Sequence, residues 1–362
     1  VAIHPGDLLA GYRVTRLLGR GGMGEVWSAR SDRDGSEVAI KVLLARAAAK
    51  PDLVRRFERE ARITGAIDSV YVCKLLDIGE STEGAPLLVF EHLRGESLAD
   101  RLKREQYLPL SEVGPIVDDV LQGLVAAHAA GVVHRDLKPG NIFLERLGDA
   151  GGPVSDAQGA DVRHERAKIL DFGISKLLRR EEAEPTLTAF DATLGSFAYM
   201  APEQIRGAAR ADERADLYAV GCVAFRALAG RLPFEAATAA ALVAMKLDRP
   251  APTLEMATSE KWPVGIERFL ERALARRREE RFATATEALS AWRAIQPANI
   301  TRLGRAMRAP LRADQSEGSY LVPDEDKTLV DGPPEMTEAS VAEIFSEGTG
   351  TTAPGRKRPE RR

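Results

Sequence analysis

At 362 residues, 44% of them hydrophobic and 29% charged, the chain can build one large two-lobed domain or two ordinary ones around a real core. A formal net charge of -3 excludes the strong basic bias of nucleic-acid or anionic-membrane binding, so no nucleic-acid partner is expected. Cys73 and Cys222 are too few and too far apart for a disulfide framework or a metal-ligand pattern, and read as small buried hydrophobes. The opening Val1-Ala2-Ile3-His4-Pro5 lacks a basic-then-apolar signal, and no run of eighteen apolar residues occurs. No membrane span is therefore expected in the chain, and the expected location is cytoplasmic.

In chain order, Tyr12 to Leu18 predicts a strand, glycines follow, and Glu25 to Arg30 predicts its partner. Asp32 to Gly35 reads as a hairpin turn and Glu37 to Leu43 as the next strand. Residues 50–66 predict a helix, with Val54, Phe57, Ala61 and Thr64 recurring among charges. Cys73 to Ile78 and Pro86 to Glu91 are two more strands, so this first part is a small sheet with one helix. From residue 110 the pattern turns helical, with Ile116, Val117, Val120, Leu121, Leu124 and Val125 spaced as a helix over 116–129. Residues 146–166 are polar and contain glycines, and read as an exposed loop. Helical patterns resume at 215–229, 236–247, 264–276 and 284–295, with Pro297 closing the last. Residues 311–362 are rich in Pro, Gly, Ser, Thr, Asp and Glu and are expected to be a disordered tail, dispensable for folding.

Four blocks carry the chemistry. Gly19-Arg20-Gly21-Gly22-Met23-Gly24 lies between two strands with no helix after it, so its backbone N–H groups can fold over phosphates. An ordinary glycine-rich hairpin has the same residues. In Val38-Ala39-Ile40-Lys41, a lysine inside an apolar strand needs a counter-charge, and Glu60 on the predicted helix can supply it. A strand-edge lysine that snorkels to solvent is the plainer alternative. In His134-Arg135-Asp136-Leu137-Lys138-Pro139-Gly140-Asn141, Asp136 can take a proton from a hydroxyl, Lys138 can steady a transferring phosphoryl, and the Asn141 amide oxygen can ligate a metal. In Lys168-Ile169-Leu170-Asp171-Phe172-Gly173, a carboxylate just past a short apolar strand suits Mg²⁺.

Taken together, these blocks make residues 12–295 similar to the eukaryotic-like serine/threonine protein kinases, in particular the bacterial members. The resemblance implies an α+β, two-lobed fold. A small antiparallel sheet with one main helix would occupy about 12–92, and a larger, mostly helical lobe about 94–295. It implies transfer of the γ-phosphate of ATP to Ser or Thr hydroxyls of protein substrates, with Mg²⁺ as the metal and Mn²⁺ able to substitute. It also implies signalling and autophosphorylation, with self-association of two copies as the route to transfer in trans.

Residue by residue, the resemblance places Gly19, Gly21 and Gly24 over the phosphates, and Val26 and Ala39 against adenine. Lys41 would pair with Glu60, and His134 would pack on Phe172. Asp136 would be the base, and Asn141 and Asp171 would hold the metal. Phe90 would be the gatekeeper, Glu91, His92 and Leu93 the hinge, and Phe143 the floor of the adenine pocket. Glu203 of Ala201-Pro202-Glu203 would pair with Arg281, and Asp216 would anchor the loop that carries Asp136. Arg135, with Arg179 and Arg180, would receive phosphate from Thr186, Thr188 or Thr193, with Thr188 and Thr193 favoured. Thr328, flanked by acidic residues, is a further candidate for a phosphate-reading partner.

Ile67 to Val72 stands where the family has a His-Pro turn, and Ser196 stands where threonine is usual. A pseudokinase scaffold and a small-molecule kinase are the rival readings. The intact Lys41, Asp136 and Asp171 speak against the first, and the Ala-Pro-Glu block with its long preceding segment against the second.

Overall fold

The computed structural model describes residues 3–20, 24–43, 54, 57, 61, 64–81, 84–147, 164–172, 197–207 and 211–295. All of them belong to the compact unit Val1–Tyr320. The expected tail at 311–362 and the interior of the insert lie outside these residues.

The first lobe is a six-stranded antiparallel sheet in the order β1-β2-β3-β4-β6-β5. Its strands are β1 (Leu8–Leu9), β2 (Tyr12–Arg20), β3 (Gly24–Ser31), β4 (Glu37–Leu43), β5 (Leu75–Glu80) and β6 (Pro86–Glu91). Strand alternation gives this sheet two faces. Val38, Ile40 and Val42 of β4 join Leu87 and Val89 of β6, Trp27 and Val14 in one apolar cluster. Leu43, Leu88 and Phe90 form a second cluster with Phe57 and Ala61. Val54, Phe57, Ala61 and Thr64 all have helical backbone, as their spacing predicts, and the last three are buried.

Strand β5 starts two residues later than Cys73 because the Cys73 N–H is taken elsewhere. It donates to the Ile169 carbonyl at 2.9 Å, and Val72 bridges Ile169 in parallel. The chain is thereby tied to the second lobe before it enters the sheet.

The second lobe opens with β7 (Gly95–Ser97) and α1 (Leu98–Glu105), neither foreseen. Gly95 has φ +154, and a Cβ there would run into the Leu144 carbonyl, so the approach of β7 to its partner needs glycine. Helix α2 (Leu110–Ala129) starts six residues before the expected 116 and carries Pro115 inside it. Burial of Leu110 and Val113 holds that first turn despite the missing N–H. Helix α2 packs on α4 (Arg214–Ala229), on α8 (Ala285–Arg293) and on β9 (Glu165–Ile169). Its buried Asp119 accepts the Ala167 N–H at 2.9 Å.

Strand β8 (Ile142–Arg146) pairs with both β7 and β9. The insert is therefore shorter than the loop expected at 146–166, because Arg146, Glu165 and Arg166 are strand and Leu147 N–H bonds His164 at 2.8 Å. The remaining helices are α3 (Pro202–Arg206), α5 (Ala239–Asp248), α6 (Leu254–Thr258) and α7 (Val264–Ala273). Helix α5 begins at 239, not 236, because the Thr238 side chain caps it by accepting the Ala241 N–H. Helix α7 stops at 273, and the next carbonyls, of Ala275 and Arg276, are taken by Arg281. Among the described residues, no helix is long and apolar enough to cross a membrane.

Candidate active site

Strands β2 and β3 carry the glycine-rich turn, with Gly19 opposite Val26 and Arg20 opposite Glu25. A Cβ at Gly24 would collide with the Val42 carbonyl, so glycine is what lets β3 lie against β4 there. Gly21 lies outside the described residues. Val26, Lys41 and Leu88 are aligned across three strands, and Ala39 lies opposite Phe90. Val26, Ala39 and Lys41 therefore share the sheet face that carries Phe90, with Lys41 only partly exposed.

Below this face runs the loop from Val132 to Asn141, between α2 and β8. Its backbone is hung on Asp216, at the first turn of α4. The Asp216 carboxylate accepts the His134 N–H at 2.8 Å and the Arg135 N–H at 2.7 Å, and lies 2.9 Å from His128 Nε2. Burial pushes this carboxyl up, but the His128 hydrogen bond and charge, with His134 and the Arg135 N–H, outweigh it and hold it below the usual range.

Fully buried His134 accepts the Asp136 N–H at Nδ1 (3.2 Å), which leaves Nε2 to donate to the Leu170 carbonyl at 2.9 Å. Its ring meets Phe172 edge-on, with centroids 4.9 Å apart. The Asn141 side-chain NH₂ donates to the Asp136 carbonyl at 2.7 Å, leaving its oxygen as the acceptor. The Leu170 N–H bonds the Asn141 carbonyl at 2.9 Å, so the two loops are stitched side by side.

Asp171 follows directly. Its Oδ1 lies 2.7 Å from Lys41 Nζ, which bridges the two lobes. Burial pushes the carboxyl up, and the charge and hydrogen bond of Lys41, helped by His134 and Lys138, bring it below the usual range. The backbone here is in the left-handed region at Arg135 (φ +63) and Asp171 (φ +48), a strained conformation for an arginine that the Asp216 bonds maintain. Glu60, the expected partner of Lys41, lies outside the described residues.

Among the described residues, no group of three or more His, Cys, Asp or Glu is placed to hold a metal ion. What the loops offer a metal is one carboxylate and one amide oxygen. That set suits Mg²⁺, which takes few protein oxygens and fills its octahedron with water and phosphate.

The connection between the lobes is clamped from behind. Buried Lys168 of β9 pairs with Glu91 at 2.7 Å and stands 3.5 Å from Glu145. Glu91 also accepts the Lys74 N–H at 2.8 Å. His92 and Leu93 are half-buried, as is Phe143, which lies opposite Ser97 and Lys168 in the three-stranded sheet.

At the other side of the His134–Asn141 loop, Glu203 forms a two-pronged pair with Arg281 at 2.7 and 2.8 Å. The Arg281 guanidinium is fully buried and also donates to the Ala275, Arg276 and Arg214 carbonyls. The expected Glu203–Arg281 and His134–Phe172 contacts and the Asp216 anchor are thus all present. Thr186, Thr188, Thr193, Arg179 and Arg180 lie outside the described residues.

Residues 12–292 match the protein kinase domain family. The chain belongs to the protein kinase family. It is 38% identical over 250 residues to the serine/threonine-protein kinase pkn2 of Myxococcus xanthus, covering 67% of this chain and 28% of that protein. It is 33% identical over 349 residues to pkn3 of the same organism, covering 95% of this chain and 60% of that protein. The crystal structure of the Mycobacterium tuberculosis PknI kinase domain superposes with a TM-score of 0.59 at 27% identity, covering 82% of this chain and all of that one. The chain spans between about a quarter and three fifths of the curated relatives it matches first.

Two residues of this kinase domain escaped the sequence reading. Gln204 accepts the Ala201 N–H at 2.9 Å and donates to the Arg135 carbonyl at 2.9 Å, so it ties the Ala-Pro-Glu turn to the His134–Asn141 loop. Its place directly after Glu203 was the available signal. Lys246 is buried in α5 and donates to the Ala198 and Met200 carbonyls. Its position in an otherwise apolar helix run was the only hint.

Proposed function

We propose that the chain is an active serine/threonine protein kinase that transfers the γ-phosphate of ATP to hydroxyls of protein substrates. The observation that carries this reading is the Lys41–Asp171 contact of 2.7 Å, made between the lobes and directly beside the loop of Asp136 and Asn141. In this reading the β2–β3 turn covers the phosphates, and Val26, Ala39 and Phe143 enclose the adenine next to Phe90, Glu91 and Leu93. Lys41 orients the α and β phosphates. Asn141 and Asp171 hold Mg²⁺, which when bound neutralises charge developing between the β and γ phosphates. Asp136 orients the acceptor hydroxyl and accepts its proton as the new O–P bond forms and ADP leaves. Lys138 steadies the transferring phosphoryl. Lys138 after Asp136-Leu137 favours serine and threonine over tyrosine. Autophosphorylation at Thr188 or Thr193, in trans between two copies, would bring a phosphate to Arg135.

The test is incubation of the protein with labelled ATP and Mg²⁺, followed by mapping of phosphorylated residues. Asp136→Asn should bind nucleotide as the parent does and lose transfer by about 10²-fold or more. Parent-like transfer by this variant would sink the assignment. Phosphate on small alcohols in place of protein hydroxyls would favour a small-molecule kinase.

A further inference from the structure

Lys246 is 1% exposed, and among the described residues no carboxylate pairs with it. Its ammonium instead reaches the Ala198 carbonyl at 2.6 Å and the Met200 carbonyl at 2.8 Å. Burying an ammonium without a counter-charge is costly, so the position calls for a purpose beyond filling space. Two carbonyls two residues apart, turned to one nitrogen, pin the backbone on both sides of Tyr199.

The same strip is packed from the α5 side, where Phe197 joins Phe234 and Leu242 with Met200 and Val243 against them. Tyr199 and Met200 line, together with Asp136 and Lys138, a small void with room for about one water, so the strip lies directly against the Asp136 loop. An acceptor chain that presents its hydroxyl to Asp136 therefore passes beside this strip.

We propose that Lys246 is a positioning residue for the protein acceptor, acting through the Ala198–Met200 strip and not on the nucleotide. The inference rests on the kinase reading above.

Burial pushes the Lys246 ammonium down to about 8. The groups facing it are Cys222 and Tyr218 of α4, whose ring is 5.2 Å from the ammonium, and Arg281 on that same ring at 4.8 Å, neutralised by Glu203 of α3. Burial pushes the Cys222 thiol and the Tyr218 hydroxyl up. Both therefore stay neutral where Lys246 titrates, and Lys246 is the group in this cluster that changes charge there. As pH rises through about 8, the two bonds lose their charge assistance.

The experiment measures acceptor KM, with a peptide lacking His and Cys, and separately the Kd of a fluorescent ATP analogue. The full chain and Lys246→Met are compared from about pH 6.5 to 9.5, a range that spans the titration. In the parent protein, acceptor KM should rise through about pH 8 while nucleotide Kd stays flat. In Lys246→Met, acceptor KM should be raised about tenfold at low pH and no longer depend on pH. An unchanged acceptor KM, an equal loss of nucleotide affinity, or the same pH profile in both proteins would overturn the proposal. If the variant fails to fold, the parent profile alone decides, and a flat acceptor KM through pH 8 refutes it. A parent that binds nucleotide but transfers nothing at any pH would instead refute the kinase reading.

Discussion

Beneath the His134–Asn141 loop, Asp216 takes donors at 2.7, 2.8 and 2.9 Å and is 1% exposed. Above it, Asp171 takes one lysine at 2.7 Å, and its side chain is 39% exposed. Both carboxyls are held below the usual range, but by different means. Backbone N–H groups and a buried histidine grip Asp216 from within one lobe. Asp171 depends chiefly on a cation that arrives from the other lobe. The first arrangement cannot exchange partners without undoing the loop. The second can, because a partly exposed charge reaches water or a ligand at modest cost. A fixed carboxylate and an exchangeable one are thus told apart by donor count, burial and the origin of the partner, not by residue type.

That contrast can be broken most directly at Asp216. Asp216→Ala should lower stability by about 3–5 kcal/mol, because it strands buried His128 and two backbone N–H groups. Chemical denaturation measures it, and a loss under 1 kcal/mol, on the scale of about one ordinary hydrogen bond, would show that the anchor is dispensable. The folded Asp216 carboxyl titrates below its unfolded value. Its contribution is therefore present above about pH 4 and lost as pH falls through the folded value. The acid limb of the stability curve should be shallower in the variant.

Asp171→Asn sharpens the other half of the comparison. It keeps an oxygen for Lys41 and removes the charge. Phosphoryl transfer should fall by about 10²–10³-fold with the melting temperature nearly unchanged. A variant that melted far earlier would make Asp171 a scaffold group like Asp216. The smallest effect belongs to Gln204→Ala, which removes two hydrogen bonds around the catalytic loop and should cost about 1 kcal/mol. Activity falling far more than stability in that variant would show that the Arg135 carbonyl needs its bond for geometry.

Much of this was legible in the chain. Strands β4 and β6 occupy the residues that alternation and turn signals marked, Glu37–Leu43 and Pro86–Glu91. The resemblance named Glu203 and Arg281, which meet across 78 positions, and put Asp216 under the loop. Short elements were not legible: β1 has two residues and β7 three, too few to show a period. Helix α2 begins six residues before the run at Ile116 because its first turn is held by the burial of Leu110 and Val113, which is a tertiary effect and not a local one.

By itself, the sequence determined which residue types stand in which order, and that order sufficed for the family and the two-lobed architecture. Periodicity and turn chemistry act over a few residues, and the motifs are short blocks, so both survive in a linear string. Only the tertiary structure decided which partners Lys41, Lys168 and Lys246 meet. Lys41 meets Asp171 from the opposite lobe, Lys168 meets Glu91 behind the hinge, and Lys246 meets two carbonyls and no acid among the described residues. A lysine in an apolar run reads the same in all three places. What separates them is the burial and the geometry of chain brought back from 46 to 130 residues away, and pairing at such distances is set by packing, not by local pattern.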